Sequence, residues 1–182
     1  MPPKRVSRNW VNNFMKIPSL LLAVCCLTSC VGYQLGGVKP NSLAHIKSIS
    51  VPMFANGTLH PRAEVIATSA VANAITNDGT YRIARTDQAD AILEGKLNEI
   101  KYQAIRGTRR DTLLPEELSN TVTLTWKLVD ARNPTKVLAS GSSNGSSKLF
   151  VSQNLQTARN NTLPEALERA GEAIVSRISN GY

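Results

Sequence analysis

Apolar and polar residues alternate along one stretch without a break. Val122, Leu124, Trp126 and Leu128 fall on one side, and Thr121, Thr123, Thr125 and Lys127 on the other. A period of two predicts a strand over 120–129, with one face in a core and the other towards solvent or a partner. Leu163, Leu167, Ala170, Ile174 and Ile178 instead advance by 4, 3, 4 and 4, the single apolar stripe of a helix. Val65, Ile66, Ala70, Val71, Ala74 and Ile75 also recur at helical intervals and predict a helix over about 62–77. Pro61 suits its first turn, where the missing N–H has no intrahelical partner, and Glu64 complements the helix dipole there. Asp78-Gly79 closes it, with glycine free to take the left-handed conformation of a C-terminus.

The remaining elements are shorter. Residues 46–51 form a β-favouring run that stops at Pro52, and 53–57 then read as a connecting loop with a turn at Asn56-Gly57. Residues 80–85 predict a second strand and 89–106 a long third one, followed by a polar loop over 107–119. Asn133-Pro134 turns the chain, and 136–142 returns as the other arm of a hairpin. The small, polar run 142–147 (SSNGSS) reads as a hairpin edge or flexible loop. Thr162, with Glu165 three residues on, resembles a capping box that starts the last helix. The alternative is that 153–160 is already helical and Pro164 sits at a kink. Two amphipathic helices need a common surface to cover, and a sheet with one apolar face supplies it. The expected fold is a two-layer α+β sandwich: two helices packed on one face of a mostly antiparallel sheet of about four strands. The other sheet face is left exposed or used for binding.

Ahead of this domain the pattern changes. Residues 17–27 are an apolar run of 11, about half of what a membrane-spanning helix needs and within the length of a secretory signal's hydrophobic region. Lys4, Arg5, Arg8 and Lys16 precede it, and Leu27-Thr28-Ser29-Cys30 follows. That tetrad resembles a bacterial lipobox, in which the chain is cut before the cysteine and the cysteine carries the lipid. An ordinary cleaved signal, or a buried helix with an incidental cysteine, is the alternative. The expected division is a signal over 1–29, a lipidated tether over 30–45 and a single domain over 46–182. Met15-Lys16 could also begin a compact signal by itself, which leaves the mature chain unchanged.

Composition sharpens this picture at two points. From 182 residues, a cut before Cys30 removes 29 and leaves 153, the size of one ordinary domain. It removes four basic residues and no acid, so the formal charge falls from +8 to +4. The high pI is thus partly a property of the signal, and no nucleic-acid partner is implied. All three cysteines, Cys25, Cys26 and Cys30, lie in or next to the signal. The mature domain therefore has no disulfide and no cysteine-based metal site, and is held by its hydrophobic core.

Candidate chemistry is sparse. His45 and His60 fall in expected loops and read as surface residues. No Gly-x-Ser-x-Gly, His-Glu-x-x-His or Cys-x-x-Cys occurs, and GYQLGG at 32–37 lacks the spacing and context of a dinucleotide fingerprint. No enzyme activity and no cofactor is expected, beyond a covalent lipid on Cys30. One polar cluster stands out: Arg106, Arg109 and Arg110 near a strand end could hold phosphates through bidentate, charge-assisted bonds. The competing reading is a solvated loop tip, balanced by Asp111, Glu116 and Glu117. Whether Lys101, Lys127 and Lys148 share a face with it is not legible at this level.

The residues also carry a family likeness. Cys30-Val-Gly-Tyr33-Gln-Leu35-Gly-Gly, Lys39-Pro40, and the run from Ile46 through Val51-Pro-Met-Phe54-Ala-Asn56-Gly-Thr58 to Pro61-Arg62-Ala-Glu64 resemble the LPS-assembly lipoprotein family LptE. So do Asp78-Gly-Thr-Tyr-Arg, Ala89-Asp90-Ala-Ile-Leu-Glu94-Gly95 and the last helix. The resemblance implies two helices on a four-stranded sheet. It also implies a role as an outer-membrane lipoprotein that plugs an LptD β-barrel and helps insert lipopolysaccharide into the outer leaflet. Cys30 is the residue it transfers, as the lipid-bearing position. Arg106, Arg109 and Arg110 stand as lipopolysaccharide contacts on charge alone. Val31 follows the cysteine where an Asp would favour inner-membrane retention, so the outer membrane is expected. The rival class is an envelope lipoprotein that assembles or regulates a secretion or peptidoglycan-synthesis machine, since such proteins share a similar Ala-Asp-Ala-Ile-Leu-Glu-Gly strand.

Overall fold

Strand after strand in this chain has one apolar parity, and the sheet is built so that these parities meet two helices. The computed structural model describes residues 39–108, 115–150 and 155–181, with side chains described for all of these except 106–108 and 115–116. The elements run β1 (Ser48–Ser50), β2 (Ala55–Asn56), α1 (Ala63–Asp78), β3 (Arg82–Ile83), β4 (Ala91–Thr108), β5 (Pro115–Asp130), β6 (Val137–Phe150) and α2 (Leu155–Asn180). The expected signal and Cys30 lie outside the described residues.

The class is α+β with two helices on one face, but the sheet is larger than expected and mixed. It has six strands in the order β3-β1-β4-β5-β6, with β2 also on β4. β4, β5 and β6 are antiparallel, whereas β1 pairs parallel with both β3 and β4, and β2 parallel with β4. The parallel part follows from connectivity. The chain leaves β1, crosses over through α1 and returns in β3, and a helical crossover brings a strand back in the same direction. Residues 53–57, expected as a loop, contain the two-residue β2. Beside it Phe54 is buried, with its N–H bonded to Thr68 Oγ1 at 3.0 Å and its ring over Gly95, where a side chain would collide with it.

Three further expectations change. The polar segment 107–119 is not all loop: β4 continues to Thr108 and β5 begins at Pro115, with Thr108 opposite Pro115. The run 142–147 lies inside β6. Ser143, Gly145 and Ser147 are buried because α2 lies directly on them, and a Cβ on Gly145 would meet Ala166 O and Ala170 N of that helix. The small residues that look like a loop are what lets helix and strand approach. Thr162 does not cap a helix. α2 runs through Pro164 as one helix, and the Thr162 hydroxyl bonds back to the Ala158 and Arg159 carbonyls.

Other features stand as expected. Gly79 ends α1 at φ 74° with its N–H on Ile75 O. The stripe Leu163, Leu167, Ala170, Ile174 and Ile178 is fully buried. In α1 the stripe is rotated towards alanines: Ala63, Ala67, Ala70, Val71, Ala74 and Ile75 are buried, while Val65 faces out. The reason is the neighbour. Gly171 of α2 comes so near Ala70 that an added Cβ would lie 3.2 Å from its carbonyl oxygen, and only small residues fit there.

At the near end of the sheet, Tyr81 donates its hydroxyl to Ile178 O at 2.8 Å, and burial first, then Asp78, pushes its pKa up to about 12. Asp90 ties β1 to the start of β4: its carboxylate accepts the N–H groups of Lys47 and Ser48 and the Ser48 hydroxyl, at 2.9–3.0 Å. The Lys47 N–H is the largest of the influences that hold its pKa below the ordinary carboxylate value. A depressed pKa means stability that is present above the unfolded-state pKa and lost as pH falls through the folded one. Asp90→Asn is therefore expected to destabilise the domain by about 1 kcal/mol at neutral pH. The gap from wild type in urea unfolding should narrow as the pH falls through the lowered folded-state pKa of the carboxylate; a gap independent of pH would show that the carboxylate's charge is not what holds β1.

Candidate functional site

The helices cover one face of the sheet and leave the other bare. On that open face the antiparallel registers set residues side by side: Glu94, Lys127 and Ser140, then Lys96, Thr125 and Ser142, then Glu99, Thr123 and Asn144, then Lys101, Thr121 and Ser146. Lys148 faces Ser119 one step further on. Lys101, Lys127 and Lys148 thus do share a face, and Lys96 joins them. Lys127 is paired to Glu94 at 2.8 Å, and Asn98 Nδ2 donates to Thr125 Oγ1 at 3.0 Å. Lys96, Lys101 and Lys148 are exposed. The surface is a flat row of hydroxyls, able to donate or accept, edged by ammonium groups that act as point charges for anionic oxygens.

At the far end of this face the character turns amphipathic. Phe150 is 72 % exposed and Ile105 47 %, in a molecule that otherwise buries most of its large apolar side chains. The backbone of Arg106 lies here in β4, opposite Glu117, whose own cross-strand partner on β6 is Phe150. The Arg106 side chain, Arg109 and Arg110 lie outside what is described, as does Cys30. Phe150, Ile105 and Lys96 were missed from sequence. The signal for Phe150 was the step of two from Asn144 through Ser146 and Lys148, hidden once 142–147 reads as a loop.

The helix layer carries an acidic groove. This groove of 710 Å³ between α1 and α2 is lined by Asp78, Glu168 and Glu172 with Asn73 and Asn77, and no basic residue lines it. His45 is exposed, and His60 sits at the surface with Nε2 3.2 Å from Asn160 Oδ1. Among the described residues no cluster of His, Cys, Asp and Glu is arranged to hold a metal ion, and no helix is long and apolar enough to cross a membrane.

A two-layer domain with a broad polar face and an amphipathic tip offers surfaces suited to a binding partner. Comparison with known proteins makes this specific. The family model described as LptE, lipopolysaccharide-assembly, matches residues 46–178, and the chain belongs to that family of non-enzymatic lipoproteins. Among curated proteins none matches the chain. Among solved structures, protein XCC0632 from Xanthomonas campestris is similar at a TM-score of 0.52 and 14% identity, over 78% of this chain and 90% of that one. Protein CT253 from Chlamydia trachomatis reaches 0.50 at 9% identity, over 72% and 95%. The PelC dodecamer subunit from Paraburkholderia phytofirmans reaches 0.43 at 24% identity, over 73% and 92%. The first two likenesses are of fold alone.

Proposed function

We propose that the mature protein is an outer-membrane lipoprotein, held on the periplasmic side by a lipid on Cys30. It partners an LptD-like β-barrel in assembling lipopolysaccharide and inserting it into the outer leaflet. The observation that carries this reading is the family match over 46–178, which begins 16 residues after the lipobox cysteine. The open face supports it. Lipopolysaccharide presents phosphates and acyl chains together, and the tip sets Lys148 two residues from exposed Phe150 on the same strand face.

The test is depletion of the protein with surface lipopolysaccharide measured, alongside co-purification from membranes. Loss of surface lipopolysaccharide and recovery of a large outer-membrane barrel are expected. Recovery of a peptidoglycan synthase or a secretion ring instead would sink the reading and favour the envelope-machine alternative.

For the basic tip, changing Arg106, Arg109 and Arg110 together to Ala is expected to weaken lipopolysaccharide binding roughly fivefold at low salt, with less effect at high salt. Binding that is unchanged in the triple variant would return these arginines to the role of a solvated turn.

A further inference from the structure

The described residues hold two apolar clusters. The main one lies between both helices and the sheet. A small one at the far end joins Leu118 and Leu149 to Tyr102, Leu155 and Ala158. A polar group lies beside the small cluster. Asn120 is 0 % exposed, yet neither its Nδ2 nor its Oδ1 is bonded. Its cross-strand partner Tyr102 has a buried, unbonded hydroxyl. Arg159 of α2 has a buried, unbonded Nε, and its guanidinium carbon lies 4.7 Å from the centre of the Tyr102 ring. Leaving a buried polar group unbonded forfeits the hydrogen bonds it makes to water in the unfolded chain. Here four such atoms belong to three side chains linked by the cross-strand pair Asn120–Tyr102 and by the stacking of Arg159 on the Tyr102 ring.

The chemistry of the group selects its occupant. Arg159 is a half-buried cation with no carboxylate partner among the described residues. Its Nε–H, the Asn120 amide and the Tyr102 hydroxyl supply donors, the pattern for an oxyanion. Asn120 Oδ1 adds an acceptor, which a carboxylate has no proton to satisfy and a singly protonated phosphate does. The geometry points to an internal phosphate site formed by Arg159, Asn120 and Tyr102.

The way in is through α2. Pro164 removes the N–H that would bond the Asn160 carbonyl, and the Ser147 hydroxyl donates to the Thr162 carbonyl at 2.8 Å. Turns ahead of Pro164 rest on the small cluster, whereas those after it are clasped at Gly145 and Gly171 against β6 and α1. Entry requires the first two turns, which carry Arg159, to lift from the small cluster and from the His60–Asn160 contact while the rest of the helix stays seated. The phosphate could be a free anion or the headgroup of a lipid, whose chain would lie along Leu118, Leu149 and the Tyr102 ring.

The test is thermal unfolding of the full mature chain in neutral detergent. Inorganic phosphate is compared with chloride at equal ionic strength, and lysophosphatidic acid with the uncharged monoacylglycerol. A saturable rise in Tm of about 3–6 °C is expected at ten times Kd. It should be lost in Arg159→Gln and in Asn120→Leu, although the latter removes an unbonded amide and should itself melt no lower than wild type. A response to inorganic phosphate identifies a free-anion site, and a response to lysophosphatidic acid alone identifies a headgroup site; either supports the proposal. No response to either probe, or the same response in both variants, overturns it and leaves water as the occupant. Neither probe is lipopolysaccharide and the readout is not transport, so failure here leaves the assembly role standing.

Discussion

Gly145→Val is expected to destabilise the domain by about 3 kcal/mol and to lower its Tm by about 6–12 °C. The position is not special in backbone angle; it is special in what lies above it. A Cβ there would run into the Ala166 carbonyl and the Ala170 nitrogen and come within 3.0 Å of the Ala170 Cβ. Two of these are helix backbone atoms, which cannot rotate aside as a side chain would. α2 would have to lift off β6, and with it the buried stripe Leu163, Leu167, Ala170, Ile174 and Ile178. Asn144→Val is the control. Asn144 is exposed on the opposite face, so valine there should change stability by no more than about 0.5 kcal/mol. Equal Tm values for the two variants by circular dichroism would mean that α2 does not sit on β6 at this point.

Cys30→Ala is expected to abolish fatty-acid labelling completely and to leave the protein unprocessed or soluble. The reasoning is covalent: the lipobox reading puts the lipid on Cys30, whose thiol alanine lacks, and a cut before residue 30 leaves no other cysteine in the chain. Each buried methylene of such a chain contributes about 0.8 kcal/mol of membrane affinity, so losing the chains removes the anchor. The folded domain should be unaffected, since the family match begins at residue 46. Continued labelling of the variant would refute the lipobox, whatever the fate of the domain.

Much of the fold was legible where one residue's neighbours are close in sequence. The alternation through Val122, Leu124, Trp126 and Leu128 marked β5, and each of those residues is buried. The stripe from Leu163 to Ile178 marked the seated part of α2, and Gly79 marked the end of α1. Illegible features depend on a distant partner. β2 is two residues long and exists because β4 offers it an edge. The serines and glycine of β6 have low strand propensity and are there because α2 needs room. The site behaved in the same way. Three lysines could be picked out by eye, but only the registers of β4 with β5 and of β5 with β6 put them on one face. Asn120 gave no signal, because in the alternation it occupies an ordinary core position with an unexpected polar side chain.

What the sequence by itself determined is local or chemical: the short apolar run before Cys30, the absence of cysteine from the domain that follows, and the rhythms of period two and 3.6 that separate strand from helix. These survive any arrangement of the elements, since they are properties of neighbouring residues. The tertiary structure decided which strands are neighbours, that three of the pairings are parallel, and that one face of the sheet is left open with its positive charge turned outward. The physical reason is that a strand's side-chain period is the same whichever partner it pairs with and in whichever direction. Only packing against α1 and α2 selects among the pairings, by the surface each one buries.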